Sequence, residues 1–197
     1  MAPTTAADST RDRIVAAARA EFARYGIAGA RITRIAKAAR TSSERLYAYF
    51  RSKEALYAFV ADQEMAAVSE ATRLDATDLP EYAGRVHDYF QRHPDRGRLM
   101  TWGRMELSGG AGDDVFRDAT RRKVAQLRAA QEAGHLDPVW DPIDILVFVN
   151  QIAMAWSGQL DLVEAAGDDV RDPSPAARRA AVVAAIQRLF PAGGDGA

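Results

Sequence analysis

The sequence predicts an all-α protein of about nine helices, and three observations carry that reading. Apolar residues recur at helical spacing in nearly every segment of the 197-residue chain, and no segment sustains a period of two. Glycine, proline and Asp/Ser clusters separate these segments, at the places where helices start and stop. Apolar residues make up 48% and charged residues 27%, a balance that folds and does not stay disordered. A chain of this length makes one or two domains with a sizeable core.

The elements follow in order. Ser9-Thr10-Arg11-Asp12 reads as a capping box ahead of Ile14, Ala18 and Phe22 at four-residue spacing. Gly26 stands where a left-handed residue ends a helix, with Ile27 folding back on Phe22. A short second helix covers about Ile32 to Ala39 and turns Ile35 and Ala36 inward. Ser42 caps a third, which runs to about Tyr49. Ser52 caps a long fourth, carrying Leu56, Phe59, Val60 and Val68 towards residue 71. Pro80 opens a helix with Tyr82, Val86, Tyr89 and Phe90. Pro94 opens the next, through Leu99, Trp102 and Met105 to the break at Ser108-Gly109-Gly110. Asp113 starts a charged helix to Ala133 with Val115, Phe116, Val124 and Leu127 as its apolar stripe, and Gly134 ends it. Asp141-Pro142 is an N-cap with proline at the first helical position. The stretch "DILVFVN" is β-branched enough for a strand. Its apolar run continues through Ile152, Met154, Trp156, Leu160 and Val163 to Gly167, which predicts one long helix. Ser174-Pro175 opens the last helix, Pro191 closes it, and "PAGGDGA" is expected to fray.

Several function classes are disfavoured. The chain has no cysteine, so disulfides and thiolate chemistry are absent. His87, His93 and His135 do not sit at metal-ligand spacings such as i, i+4, so no metal site is predicted. No Ser-His-Asp set, phosphate loop or paired-carboxylate motif stands out, so neither catalytic residues nor a cofactor are expected. The first residues lack an apolar leader core and no long run is free of polar residues, which predicts a cytoplasmic protein with no membrane partner. The net charge of −1 conceals an asymmetry. Residues 1–60 hold eleven Lys/Arg against five Asp/Glu, and the remainder holds fifteen against twenty-two. A basic first third joined to an acidic remainder points one part of the chain at a polyanion.

The segment "SSERLYAYFRSKEAL", residues 42–56, places Tyr47, Tyr49 and Phe50 close together. A buried helix keeps its aromatics on one face, so some of these rings must face something other than the core. Two short helices joined by a few residues behind a longer first helix make a helix-turn-helix, and its second helix enters the DNA major groove. On a helix starting after Ser42, Leu46 faces the core and Phe50 plugs it, while Ser43, Glu44, Arg45, Tyr47 and Tyr49 reach outward. A tyrosine ring packs on sugar or a thymine methyl, and its hydroxyl donates to a phosphate oxygen. Lys53, in the first turn of the next helix, adds an ammonium beside N–H groups that already favour phosphate.

The stretch "GIAGARITRIAKAARTSSERLYAYFRSKEALY", above all "LYAYFRSKEALY", resembles the N-terminal domain of the tetracycline-repressor (TetR) family of bacterial transcription regulators. The resemblance covers about residues 10–60, and the remainder matches in chain length and helix count. It implies a helix-turn-helix DNA-binding domain over 1–60, with the motif at about 31–50, and a ligand-binding and dimerising domain over 61–197. It also implies a homodimer that represses transcription at a palindromic DNA operator until a small-molecule effector binds. By this resemblance Arg31, Thr33 and Arg34 fall at backbone-contacting positions, as do Tyr47, Tyr49 and Lys53, while Ser43, Glu44 and Arg45 fall where bases are read. Arg45 suits guanine O6 and N7, and Glu44 suits cytosine N4. Arg19 and Arg24 are read as solvated. Members usually carry glycine then valine at the turn, and this chain has Arg40-Thr41. A left-handed arginine costs about 1 kcal/mol relative to glycine, so a slightly altered turn is expected.

In the rest of the chain, Tyr89, Trp102, Met105, Phe116, Phe148, Met154 and Trp156 are candidates to line an apolar effector pocket, with Asn150 and Gln151 as polar anchors. The last two long helices are apolar on more than one face, and Ala177, Ala181 and Ala184 would let a partner helix approach closely. A four-helix contact with a second subunit would cover both. The rival readings are a helical-bundle enzyme and a DNA binder without an effector.

Overall fold

The computed structural model of the chain describes residues 9–106, 114–157 and 159–191. Among these residues the chain forms ten α-helices and no strand. They are α1 (Thr10–Gly29), α2 (Ile32–Ala38), α3 (Ser43–Tyr49), α4 (Lys53–Ala71), α5 (Leu79–Arg92), α6 (Pro94–Glu106), α7 (Asp114–Glu132), α8 (Pro142–Ala153), α9 (Leu160–Ala166) and α10 (Pro175–Leu189). The chain divides into two compact units, Met1–Ala66 with Asp95–Ala111, and Ala67–Pro94 with Gly112–Ala197. The division does not follow a boundary at residue 60, because α6 belongs with α1, α2 and α3.

The first unit is built on Ile14, Ala18, Phe22, Ile35, Leu46, Leu56, Val60 and Leu99, all fully buried in one cluster. α1 starts as expected: Ser9 Oγ accepts from the Asp12 N–H at 3.1 Å while Asp12 Oδ2 accepts from the Ser9 N–H at 3.2 Å. Its other end differs from expectation. Gly26 has φ 69° and ψ −176°, a conformation open to glycine and not the left-handed helical one, and the chain then resumes a helical turn to Gly29. A Cβ at Gly26 would also meet Glu106 Oε1 at 2.3 Å. That space lets the Glu106 carboxylate reach the Ala28 N–H, at 2.6 Å, and satisfy a donor the kink leaves free. On α4, the buried Glu64 pairs with Arg19 of α1 and, at 2.9 Å, with Arg96 of α6. Tyr57 stands edge-on to Phe22 at 5.2 Å and donates its hydroxyl hydrogen to Leu99 O at 3.0 Å.

The second unit packs α5 against α8 and α10, and α7 against α8. Tyr82, Val86, Tyr89 and Phe90 of α5 are buried, together with Leu127, Ile145, Val149, Val182, Ile186 and Phe190. Arg179 of α10 ties to α5 through Glu81 at 2.9 Å and Asp88 at 2.9 Å. Asp141 caps α8 by accepting from Ile143 N at 3.0 Å, as its sequence predicts. The single helix expected to run on to Gly167 is, however, two. α8 ends at Ala153, where Met154 N bonds back to the Asn150 and Ile152 carbonyls, and Ser157 N closes a turn on Met154 O at 2.9 Å. Ser157-Gly158 is a poor helix-forming pair, and the Trp156 ring lies under the Arg178 guanidinium, 4.7 Å from its centroid. The expected helix start at Asp113, the break at 108–110 and the tail from 192 lie outside the described residues.

Candidate nucleic-acid interface

α2 ends in a tightly specified turn. Arg40 N donates to Lys37 O at 3.2 Å and Thr41 N donates to Ala36 O at 3.0 Å, the paired bonds that close a helix around a left-handed residue. Arg40 is that residue, with φ 53°, and it is the only non-glycine with positive φ among the described residues. The altered turn expected from the Arg40-Thr41 pair is therefore not found. The arginine accepts the left-handed conformation, at a cost of about 1 kcal/mol relative to glycine. Behind the turn, Arg13 of α1 donates from Nε to Ala39 O at 3.1 Å, which fixes the end of α2 against the first helix.

α3 follows with Ser42 as N-cap, its Oγ accepting from Arg45 N at 3.2 Å. Of its seven residues only Leu46 is buried. Glu44, Arg45, Tyr47, Ala48 and Tyr49 are exposed and Ser43 is half-buried. Tyr47 and Tyr49 keep 49% and 43% of their surface, far more than a core aromatic would. Phe50 ends the helix buried, 5.4 Å from the Phe59 ring, so it plugs the core as the sequence predicts. A helix held by one apolar anchor and Phe50 offers nearly its whole outer face to a partner.

The charged residues divide into two groups. Arg45 and Arg31 are exposed, and among the described residues their side chains make no ion pair or hydrogen bond within the chain. Thr33 is exposed on the second residue of α2. Arg34, in contrast, is committed to α1. Its Nε donates to Glu21 Oε1 at 2.6 Å, its Nη2 donates to Gly29 O at 2.8 Å, and its guanidinium lies over the Tyr25 ring at 4.3 Å. The same Glu21 oxygen accepts from Arg31 N at 2.9 Å, so Arg34 and Glu21 orient the start of α2. Lys53 is also engaged: Nζ donates to the carbonyls of Ala28 and Ala30 at 3.3 and 3.4 Å, leaving one hydrogen for another acceptor. Glu44 is exposed, and its own backbone N–H, then the Ser42 hydroxyl, hold its carboxyl below the usual carboxylate range. Lys37, Arg40 and Arg51 are exposed cations on the same short stretch that the sequence reading did not assign to DNA contact.

Residues 14–60 match the bacterial regulatory proteins of the tetR family, and residues 78–188 match the tetracyclin repressor-like C-terminal domain. The chain belongs to the tetR family. This TetR-family protein is thus a DNA-binding transcription regulator with a helix-turn-helix. It is 37% identical to the transcriptional repressor SCO4008 of Streptomyces coelicolor over 75% of this chain and 77% of that protein. It is 39% identical to the transcriptional repressor NicS of Pseudomonas putida over 68% of this chain and 62% of that one. A crystal structure from Streptomyces coelicolor, described as the transcriptional regulator SCO4942, superposes with a TM-score of 0.85 at 57% identity, covering 93% and 99% of the two chains.

The nine candidate effector residues of this TetR-family chain are divided between the two compact units. Trp102 and Met105 lie in the first unit, and Met105 is 65% exposed. Phe148 and Gln151 are exposed on α8, on one face with Ile143 and Val147. Phe116 is exposed on α7. Tyr89 is buried, edge-on to Phe90 at 5.3 Å. Met154 and Trp156 are half-buried beyond the end of α8. Asn150 lies inside a polar string: Tyr82 Oη donates to Asn150 Oδ1 at 3.2 Å, Lys123 Nζ donates to Tyr82 Oη at 3.1 Å, and Asn150 Nδ2 donates to Leu146 O at 2.8 Å. Neither Lys123 nor Tyr82 was prominent in the sequence as a polar group. The pairing depends on three helices, which no local pattern reveals.

Proposed function

We propose that this protein is a cytoplasmic repressor that holds a palindromic operator as a homodimer and releases it when a small, partly apolar effector binds in the second unit. The observation that carries the reading is α3, whose outer face is exposed while its one apolar anchor is fully buried. Repression is supported by the two relatives, both transcriptional repressors at above one-third identity. In this reading Ser43, Glu44 and Arg45 meet base edges, Arg45 taking guanine. Arg31, Thr33, Tyr47, Tyr49 and Lys53 meet the sugar–phosphate backbone, and Arg34 contributes by orienting α2. The backbone contacts supply affinity that falls as salt rises.

Dimerisation is supported by α8, where Ile143, Val147 and Phe148 are exposed together on one face, a surface better suited to a second subunit than to water. Phe148 and Gln151 are assigned to that contact in preference to the effector. α10, with its row of Ala177, Ala181 and Ala184, completes the four-helix contact. The effector acts by binding one arrangement of the two heads better than the other, the heads then no longer matching successive major grooves. No catalytic role is assigned to the second unit. Selection from a random duplex pool tests the reading: enrichment of a two-fold symmetric sequence is expected, and failure to enrich any sequence at low salt contradicts it. A thermal-shift screen tests the effector, since a true one raises the melting temperature as its concentration rises.

A further inference from the structure

Arg40 is the one residue of the turn whose conformation works against its chemistry. The two closing bonds it completes, from Arg40 N to Lys37 O and from Thr41 N to Ala36 O, require a left-handed residue. The same chain closes α7 with the same pair of bonds, from Gly134 N to Gln131 O and from His135 N to Ala130 O, and there uses glycine at φ 77°. Nothing in the turn itself asks for arginine at position 40. The side chain is exposed, and among the described residues it makes no ion pair, hydrogen bond or ring contact that would explain it. Lys37 and the Arg13 guanidinium already stand at the end of α2, so a further cation is not needed to balance that helix end. The turn is held from behind by Arg13 on Ala39 O, and a strained residue persists where its surroundings fix it in this way.

The position is informative. The first helix of a helix-turn-helix crosses the sugar–phosphate backbone. Thr33 and Lys37 are exposed one turn apart on α2, and Arg40 comes next after them, two residues before the N-cap of α3. We propose that Arg40 is a phosphate-contacting residue of the DNA interface, a cation placed by the turn itself and kept in spite of the strain. It rests on the reading that α3 faces DNA, and extends the contact from the two helices to the turn between them. A guanidinium suits the task, since its fork pairs two oxygens of one phosphate and its charge does not titrate.

The test uses the full-length protein and a duplex recovered by wild-type selection from a random pool, with affinity measured across a salt series. Arg40→Gly removes the guanidinium and relieves the strain; Arg40→Asn removes the charge with a side chain that tolerates left-handed backbone. Both are expected to bind roughly three- to tenfold more weakly, on selected and unrelated duplexes alike. The log-affinity against log-salt slope should be shallower by about 0.9 per bound subunit. Arg40→Lys should retain most of the slope. Arg40→Gly should melt no lower than wild type, so stability and affinity move in different directions. Unchanged affinity and slope in Arg40→Gly would overturn the assignment, as would weaker binding accompanied by a lower melting temperature, which marks a structural role. If the wild type itself selects no duplex, it is the DNA reading that fails and not this residue alone.

Discussion

The two compact units differ in what they leave exposed. In the first, charged side chains reach backbone groups or carboxylates on neighbouring helices: Arg34 on Glu21 and Gly29, Lys53 on Ala28 and Ala30, Arg13 on Ala39, Glu106 on Ala28, and Arg19 and Arg96 on Glu64. Such bonds are directional, and they fix the angles at which short helices meet. In the second, Arg179 makes a similar tie to Glu81 and Asp88, and several apolar side chains remain in water, with Val147 at 46%, Phe148 at 40% and Leu162 at 57% exposure. A seven-residue helix at the surface needs rigid support, whereas exposed apolar faces suit the contact proposed with a second subunit. The difference predicts that damage to the first comes from buried residues and damage to the second from exposed ones.

The largest effect should come from an exposed site. Val147→Asp leaves the isolated chain folded, but on a two-fold axis it places an unpaired carboxylate in the interface twice, costing about 4 kcal/mol of association. Sedimentation at micromolar concentration should show a dimer for the wild type and a monomer for the variant; equal dimerisation would show that α8 is not the contact. Next is Leu46→Ala, the one buried side chain of α3, which should cost about 3 kcal/mol in denaturant unfolding and abolish specific binding. Retained binding would mean that α3 is not held as described. Glu64→Ala leaves two arginines without their shared carboxylate. Because both are partly exposed to water, the expected loss is about 2 kcal/mol, less than for a fully buried pair, and a melt within a degree of wild type would contradict it.

Smallest is Ser42→Ala, which removes the cap of α3 for about 1 kcal/mol. It also removes one of the bonds that lower the Glu44 pKa. A depressed folded pKa gives stability that is present above the ordinary carboxylate value and lost as pH falls through the lowered one. In Ser42→Ala the Glu44 carboxyl should therefore titrate at higher pH, closer to its ordinary value, when followed by NMR. No change would place the main cause in its backbone N–H alone.

What could be read from the sequence was what local chemistry decides. Ser9, Ser42, Ser52, Asp141 and Ser174 all cap helices where their spacing to the following apolar residues implies, because an N-cap bond spans only two or three residues. Leu46 and Phe50 inward with Tyr47 and Tyr49 outward follows from helical period alone. Hidden were features fixed by residues distant in the chain. Arg34 carries a guanidinium at a position the family resemblance assigns to DNA contact, yet Glu21, thirteen residues earlier, takes it. Trp102 and Met105 read as part of the second unit because sequence order places them there, while the fold returns α6 to the first. The end of α8 was masked by an apolar run that continues straight through it, since periodicity records which residues are apolar and not where the backbone turns.

The proposed function turns on α3 reading base pairs through Arg45. The direct measurement is the affinity of wild type and Arg45→Ala for the selected duplex and for each of its single-base-pair variants. The variant should lose discrimination at one position in each half-site, by about 1–3 kcal/mol, and keep it elsewhere. An unchanged profile at every position would show that α3 does not read DNA in this way.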